Sequence, residues 1–407
     1  MAVTHVLHVC HQSVVRMGIL RSQVAEPMRR LARDSRLKIT VVSGERAGER
    51  DAAEEKTLQR ELTDAGVTLE FFDKQVGHAA RTAKPNLARR LLAPIYLKRD
   101  VAALRDRIDR FAEAHQPCIV HARSYVPAWA AIHSRARKRF RLVFDPRGAL
   151  PEELRDANGW RESSMRFRWW KRLEWRILGE ADEVIAVSEP MAEHFAALGP
   201  RRPRLVRNGV DLDRFHVSAR SPGEGEPLRL VFLVGVDVPY QAIERSADLR
   251  AAVASLWPGG ATLQILSPDA DAIRSRIGDK HVLCESPSRN AIPAVLADAD
   301  IGLISRDASL GSRVACPVKF AEYLASGLPV IAANGIGECD AILKSGNCGV
   351  SLNMADEKCW PAALQPLVQS IQADALALRR RAREAAEKHF AWDRYLPVLR
   401  QAYGIDD

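Results

Sequence analysis

Lys319 and Glu322 stand one helical turn apart in residues 311–343, GSRVACPVKFAEYLASGLPVIAANGIGECDAIL. An ammonium beside the open N–H groups of a helix start suits a phosphate, and a carboxylate one turn on suits sugar or ribose hydroxyls. Pro317 fits the first turn of such a helix, where its missing N–H costs nothing. Phe320, Tyr323 and Leu324 recur at helical spacing, and Gly327 is placed to end the helix. Residues 328–333, LPVIAA, then form a short apolar run of the kind a buried parallel strand needs. Taken by residue chemistry alone, the stretch also describes an ordinary buried strand–helix–strand unit with a solvated Lys–Glu pair.

Two loops in the first half carry further chemistry. His121-Ala122-Arg123-Ser124 follows the apolar run 118–120, and Asp145-Pro146-Arg147-Gly148 follows 142–144. Ligands of open α/β sheets collect at the C-terminal ends of strands, so both positions are informative. For the first loop the plain alternative is a capping histidine and a surface arginine. For the second, Asp145 and Arg147 either recognise a ligand or form an internal salt bridge that fixes the loop. Residues 11–21, with Gly18, and residues 235–241, with Gly235, Tyr240 and Gln241, follow the strands that open each half.

The elements that would position these residues alternate strand and helix throughout, the signature of doubly wound α/β domains. Strands are expected at 5–10, 38–43, 118–121, 141–144, 183–187 and 204–206, then at 228–234, 261–266, 281–284, 301–304 and 328–332. The polar stretch 218–227, SARSPGEGEP, reads as a linker between the two series. Residues 375–389 form a charged helical stretch, and 390–403 follow as FAWDRYLPVLRQAY.

Residues 317–331 resemble the donor-site region of family 4 glycosyltransferases, in the bacterial polysaccharide-synthesis branch with the P-x-K-F-x-E-Y-L-A-x-G-x-P-V-I signature. Pro317, Lys319, Phe320, Glu322, Tyr323, Leu324, Ala325, Gly327, Pro329, Val330 and Ile331 carry the match. The resemblance extends over nearly the whole chain. It implies the GT-B fold: two Rossmann-like parallel-sheet domains facing across a cleft. An acceptor domain would span 1–212, a linker 213–227, a nucleotide-sugar domain 228–388, and a last helix in 389–407 would return to the first domain.

The resemblance also implies roles. Lys319 would neutralise the diphosphate, Glu322 would bind ribose hydroxyls, and His121 would contact the sugar. Gly235, Tyr240, Gln241, Ser312, Arg313 and Pro317 would complete the donor site; Gly18, Arg123, Asp145 and Arg147 would face the acceptor. The chain departs from the family in three places. The first loop has a single glycine, Gly18, where paired glycines are common. Residues 235–241, GVDVPYQ, lack the usual arginine and lysine, which leaves the positive charge to Lys319 and Arg313. The first of two glutamates spaced seven residues apart falls at Val314, so Ser312, Arg313 or backbone would replace it.

The totals bound the partners. The 407 residues are enough for two full cores. Seven scattered cysteines, with no C-x-x-C, suggest reduced thiols in a cytoplasmic protein, and no metal-ligand spacing, signal peptide or membrane span is evident. Residues 1–209 hold 39 Lys+Arg against 26 Asp+Glu, a net of +13; the rest hold 21 against 25, a net of −4. A basic half points to an anionic partner. Residues 161–176, RESSMRFRWWKRLEWR, and the stretch 87–110 mix arginine and lysine with aromatic or aliphatic residues, which suits a membrane interface or a core helix with a solvated face. A nucleic-acid reader motif is lacking.

The expectation is a metal-independent, retaining glycosyltransferase. It would use a nucleoside-diphosphate sugar as co-substrate, with no other cofactor, and a glycan or lipid-linked acceptor at the inner face of a membrane. Two alternatives stand beside it: a sugar-nucleotide epimerase on the same scaffold, and a non-enzymatic binder of anionic surfaces or nucleic acid.

Overall fold

The computed structural model describes residues 3–74, 87–223, 225–234 and 243–405. The chain forms two compact units, Met1–Val206 with Asp393–Asp407, and Arg207–Trp392.

The first unit is built on seven strands: β1 (Thr4–Cys10), β2 (Leu37–Glu45), β3 (Val67–Asp73), β4 (Cys118–Arg123), β5 (Arg141–Asp145), β6 (Glu183–Ala186) and β7 (Arg204–Leu205). They pair in parallel in the order β3-β2-β1-β4-β5-β6-β7. The chain runs outward from β1 to β3, then returns to β4 on the other side of β1. The switch point therefore lies between β1 and β4, where ligands of such sheets bind. Register sets His8 against His121 and Cys10 against Arg123 across that boundary, and Arg123 against Asp145 on the next strand.

The second unit repeats the plan with β8 (Leu228–Leu233), β9 (Ala261–Leu266), β10 (Val282–Glu285), β11 (Ile301–Ile304), β12 (Val330–Ala333) and β13 (Gly349–Leu352). Their order is β10-β9-β8-β11-β12-β13, which puts the switch point between β8 and β11. β11 and β12 are apolar and buried at every position, as helices on both faces of a parallel sheet require.

The strands at 67–73 and 349–352 are absent from the sequence expectation. Both lie at sheet edges, where one side is open and the apolar pattern weakens: VTLEFFD mixes Thr68, Glu70 and Asp73 with apolar residues, and GVSL is short and small. The charged stretch 375–389 is the end of a longer helix, Trp360–Phe390, broken at Asp374 by non-helical backbone.

Candidate functional site

The helix Val318–Ala325 is set by its buried stripe. Phe320, Tyr323 and Leu324 are at most 1% exposed, and the Tyr323 ring lies against β11 at Gly302, where a Cβ would come within 2.6 Å of it. Gly327, at φ +73, takes the left-handed position after the helix, where Cβ-bearing residues are strained. Pro317 occupies the N-cap position. With its inner stripe fixed, the helix sends Lys319 to the end of β8.

Lys319 Nζ donates to the Leu233 carbonyl at 2.7 Å, and the Leu233 N–H donates to the Tyr323 hydroxyl at 2.8 Å. One helix thus holds both main-chain groups of the last residue of β8. The Lys319 ammonium also sits 4.6 Å from the centroid of the Phe232 ring. Burial, and then the Arg306 charge, pull the half-buried lysine down to about 7, against an opposing pull from Glu322. Burial pushes Glu322 up to about 7, although Arg214, Arg289 and Lys319 oppose it. The low-polarity surroundings therefore bring both groups near neutrality, where a ligand's charge decides which form is held.

Arg306 is the cation that sequence reasoning missed. It stands two residues beyond β11, across the switch point from Leu233, and its charge reaches Lys319. Its position at a strand end was the available signal. Arg214 and Arg289 are a further pair, joined by an Arg214 Nη2 bond to the Arg289 carbonyl at 2.5 Å, and both act on Glu322.

Arg313, by contrast, is exposed on the short helix Leu310–Arg313. Ser312 is 1% exposed, and its N–H is capped by Ser309 Oγ at 3.1 Å. Val314 is buried at 1% exposure. Gly235, Tyr240 and Gln241 lie outside the described residues.

In the first unit, the residues at the strand ends form one buried charged cluster. Asp145, 3% exposed, has Arg147 Nη1 at 3.3 Å, Arg123 Nη1 at 3.4 Å and His121 Nε2 at 3.4 Å. Burial pushes its carboxyl up, but Arg147, the His121 hydrogen bond and Arg123 outweigh that and hold it well below the usual carboxylate range. Burial, then Arg147, bring Arg123 down to about 10. Arg147 carries a left-handed backbone at φ +64, strained for a residue with a side chain and stabilised by its bond to Asp145.

His121 is only 2% exposed, and the Tyr403 hydroxyl lies 2.8 Å from its Nδ1. Its ring lies tilted against His8, at 4.1 Å between centroids, and burial holds His121 below the ordinary histidine value. The imidazole thus reaches its surroundings through Asp145. Tyr403 and His8 carry no motif and were not foreseen. Gly18 is exposed and opens the short helix Gly18–Leu20.

Among the described residues, one group has metal-ligand spacing: Glu152, Glu174 and His194. The Lys171 ammonium lies 2.8 Å from Glu152 Oε1 and also bonds Glu174, so a cation of the chain's own stands between the two carboxylates. All seven cysteines are free thiols, and only Cys359 is exposed. No helix of the described residues is long and apolar enough to cross a membrane.

Residues 56–214 match Glycosyltransferase Family 4. A comparison with curated protein sequences finds no match. Among solved structures, the chain is similar to a sucrose-phosphate synthase from Thermosynechococcus elongatus, at 17% identity and a TM-score of 0.68, over 99% of this chain and 98% of that one. It is similar to a mutant of S. aureus TarM, crystallised with fondaparinux, α-GlcNAc-glycerol and UDP, at 11% identity and a TM-score of 0.71, over 98% of this chain and 99% of that one. The catalytic domain of starch synthase IV from Arabidopsis thaliana, bound to ADP and acarbose, aligns at 12% identity and a TM-score of 0.66, over 99% of both chains. The family match spans residues 56–214, and similarity over nearly the full length to solved structures of the same two-sheet architecture shows that the chain has the GT-B fold.

Proposed function

We propose that the chain moves a sugar, with retention, from a nucleoside-diphosphate sugar to a hydroxyl of a glycan or lipid-linked acceptor in cell-surface polysaccharide synthesis. The observation that carries this reading is the pair of cations, Lys319 and Arg306, beside the switch point of the second sheet. A diphosphate needs more than one positive charge, and a lysine pulled down to about 7 supplies only part of one at neutral pH. Arg306 and the open N–H groups of the Val318–Ala325 helix supply the remainder.

Catalysis in this reading rests on position and on stabilising the leaving group, without a protein nucleophile. The bond from the sugar to the diphosphate breaks as the acceptor oxygen closes on the same face. The acceptor proton passes to the departing diphosphate oxygen. Lys319 stabilises that oxygen's charge, and Glu322 accepts from ribose hydroxyls. Arg147 and Arg123 bind the acceptor, with Asp145 setting their geometry and His121 supporting Asp145 from beneath.

The TarM and starch synthase structures, with UDP and ADP bound, support a nucleotide donor for this chain as well. The test is incubation with UDP-, GDP- and ADP-sugars, with and without glycan acceptors. Acceptor-dependent release of nucleoside diphosphate supports the reading. An isomerised sugar with no released diphosphate points to an epimerase and overturns it. Lys319→Ala is expected to abolish turnover with the far-ultraviolet circular dichroism unchanged.

A further inference from the structure

We propose that the outer face of the Met165–Glu180 helix is a docking surface for an anionic lipid bilayer. The inner stripe of this helix, Phe167, Leu173, Ile177 and Leu178, is buried and fixes its rotation. That rotation forces the opposite stripe into solvent: Met165 is 87% exposed, Trp169 41% and Trp175 70%. They are three of the eight large apolar side chains exposed among the described residues, and the only two tryptophans so placed. Single exposed apolar residues are ordinary, whereas three on one helical stripe form a patch.

The charge on the same stripe is one-sided. Arg168 and Arg172 are exposed between these residues and have no carboxylate partner among the described residues. The nearby acids are already engaged: Glu162 accepts from Arg155 at 2.7 Å, and Glu180 from Arg176 at 2.7 Å. The helix packs on Tyr125–Ile132, which in turn packs on Leu87–Ala114, so the two basic stretches of the sequence belong to one helical layer. On the last of these, Lys98 and Arg99 are exposed and Ile95 is 50% exposed.

Arginine among exposed tryptophan and methionine matches a bilayer, where the guanidinium meets phosphate and the ring sits at headgroup level. A nucleic acid would engage the arginines and stack on the indoles, but it offers nothing to Met165. The inference extends the transferase reading, since a lipid-linked acceptor gives docking its purpose. Its test does not depend on that reading, because no sugar nucleotide is needed.

The experiment is flotation of the full chain with phosphatidylcholine vesicles, with and without phosphatidylglycerol, at low and high salt. Tryptophan quenching by brominated lipid is read in parallel. Flotation is expected only with phosphatidylglycerol, weakened by salt, with the indoles quenched. The double variant Arg168→Glu with Arg172→Glu is expected to lower binding by ~10-fold or more, and Trp175→Ala by ~10-fold. Both sites are exposed, so thermal unfolding should match the wild type. Acceptor-dependent transfer to a soluble glycan, assayed without vesicles, should be unchanged in both variants. Its absence in the wild type would count against the function, not the surface. Failure to float, or flotation that ignores these substitutions, overturns the proposal. So does salt-sensitive binding of single-stranded RNA without vesicle binding, or a dimer that Trp175→Ala dissociates.

Discussion

Tyr403, at the end of the last helix, places its hydroxyl 2.8 Å from Nδ1 of His121, although 282 positions separate the two residues. The contact closes a chain of buried polar groups running from Tyr403 through His121 to Asp145 and the arginines around it. Tyr403→Phe leaves the buried imidazole nitrogen without its hydroxyl, at a cost of about 1–3 kcal/mol. Urea denaturation should show that loss, with a several-fold fall in kcat as Asp145 loses its support. An unchanged midpoint and an unchanged kcat would mean that the hydroxyl supports nothing.

Asp145→Asn removes the carboxylate that three basic side chains share. Stranding Arg123 and Arg147 should cost about 3–5 kcal/mol. The sign with pH follows from the depressed carboxyl. Its stabilisation is complete well above the ordinary Asp value of about 3.9, and is lost as pH falls through that value toward the folded one. Unfolding measured from neutral pH into acid should therefore be flatter in Asp145→Asn than in the wild type. Parallel acid limbs would contradict the ion-pair account.

The resemblance to family 4 glycosyltransferases implies a glutamate at position 314, where this chain has a valine that is 1% exposed. Restoring the carboxylate by Val314→Glu should not restore a function. It should bury an unpaired charge in an apolar setting and destabilise the protein by about 3 kcal/mol or more. Differential scanning calorimetry and a transfer assay decide the point. A well-folded variant with faster transfer would show that the site wants that carboxylate after all.

The sequence made the second site legible because its determinants are local. Lys319, Phe320, Glu322, Tyr323 and Gly327 lie within one helix and its cap, and helical spacing alone puts them on their proper faces. The cluster around Asp145 was half legible: two loops at strand ends pointed to it, and the salt bridge to Arg147 was one of the readings offered. The burial of His121 under Tyr403 was not readable, because a contact across 282 positions leaves no pattern in either segment. Arg306 was missed for a related reason: it matters only because β11 lies beside β8, a neighbour relation set by sheet order rather than by sequence distance. The edge strands β3 and β13 escaped because an edge carries half the apolar demand of a central strand.

Calorimetric titration with nucleoside diphosphates across neutral pH tests the central claim most directly. Lys319, pulled down to about 7 by burial and by Arg306, should take up a proton as the diphosphate binds, so affinity should fall as pH rises past 7, by up to ~10-fold per unit. Glu322, pushed up to about 7 by burial against the opposing pull of Arg214 and Arg289, titrates with the opposite sign, so Glu322→Gln should leave the lysine's slope standing alone. Arg306→Ala should weaken binding at low pH and move the fall to higher pH, because the lysine loses its like-charged neighbour. Tight binding that ignores pH, and that Lys319→Ala leaves intact, would contradict the assignment of the diphosphate to this lysine.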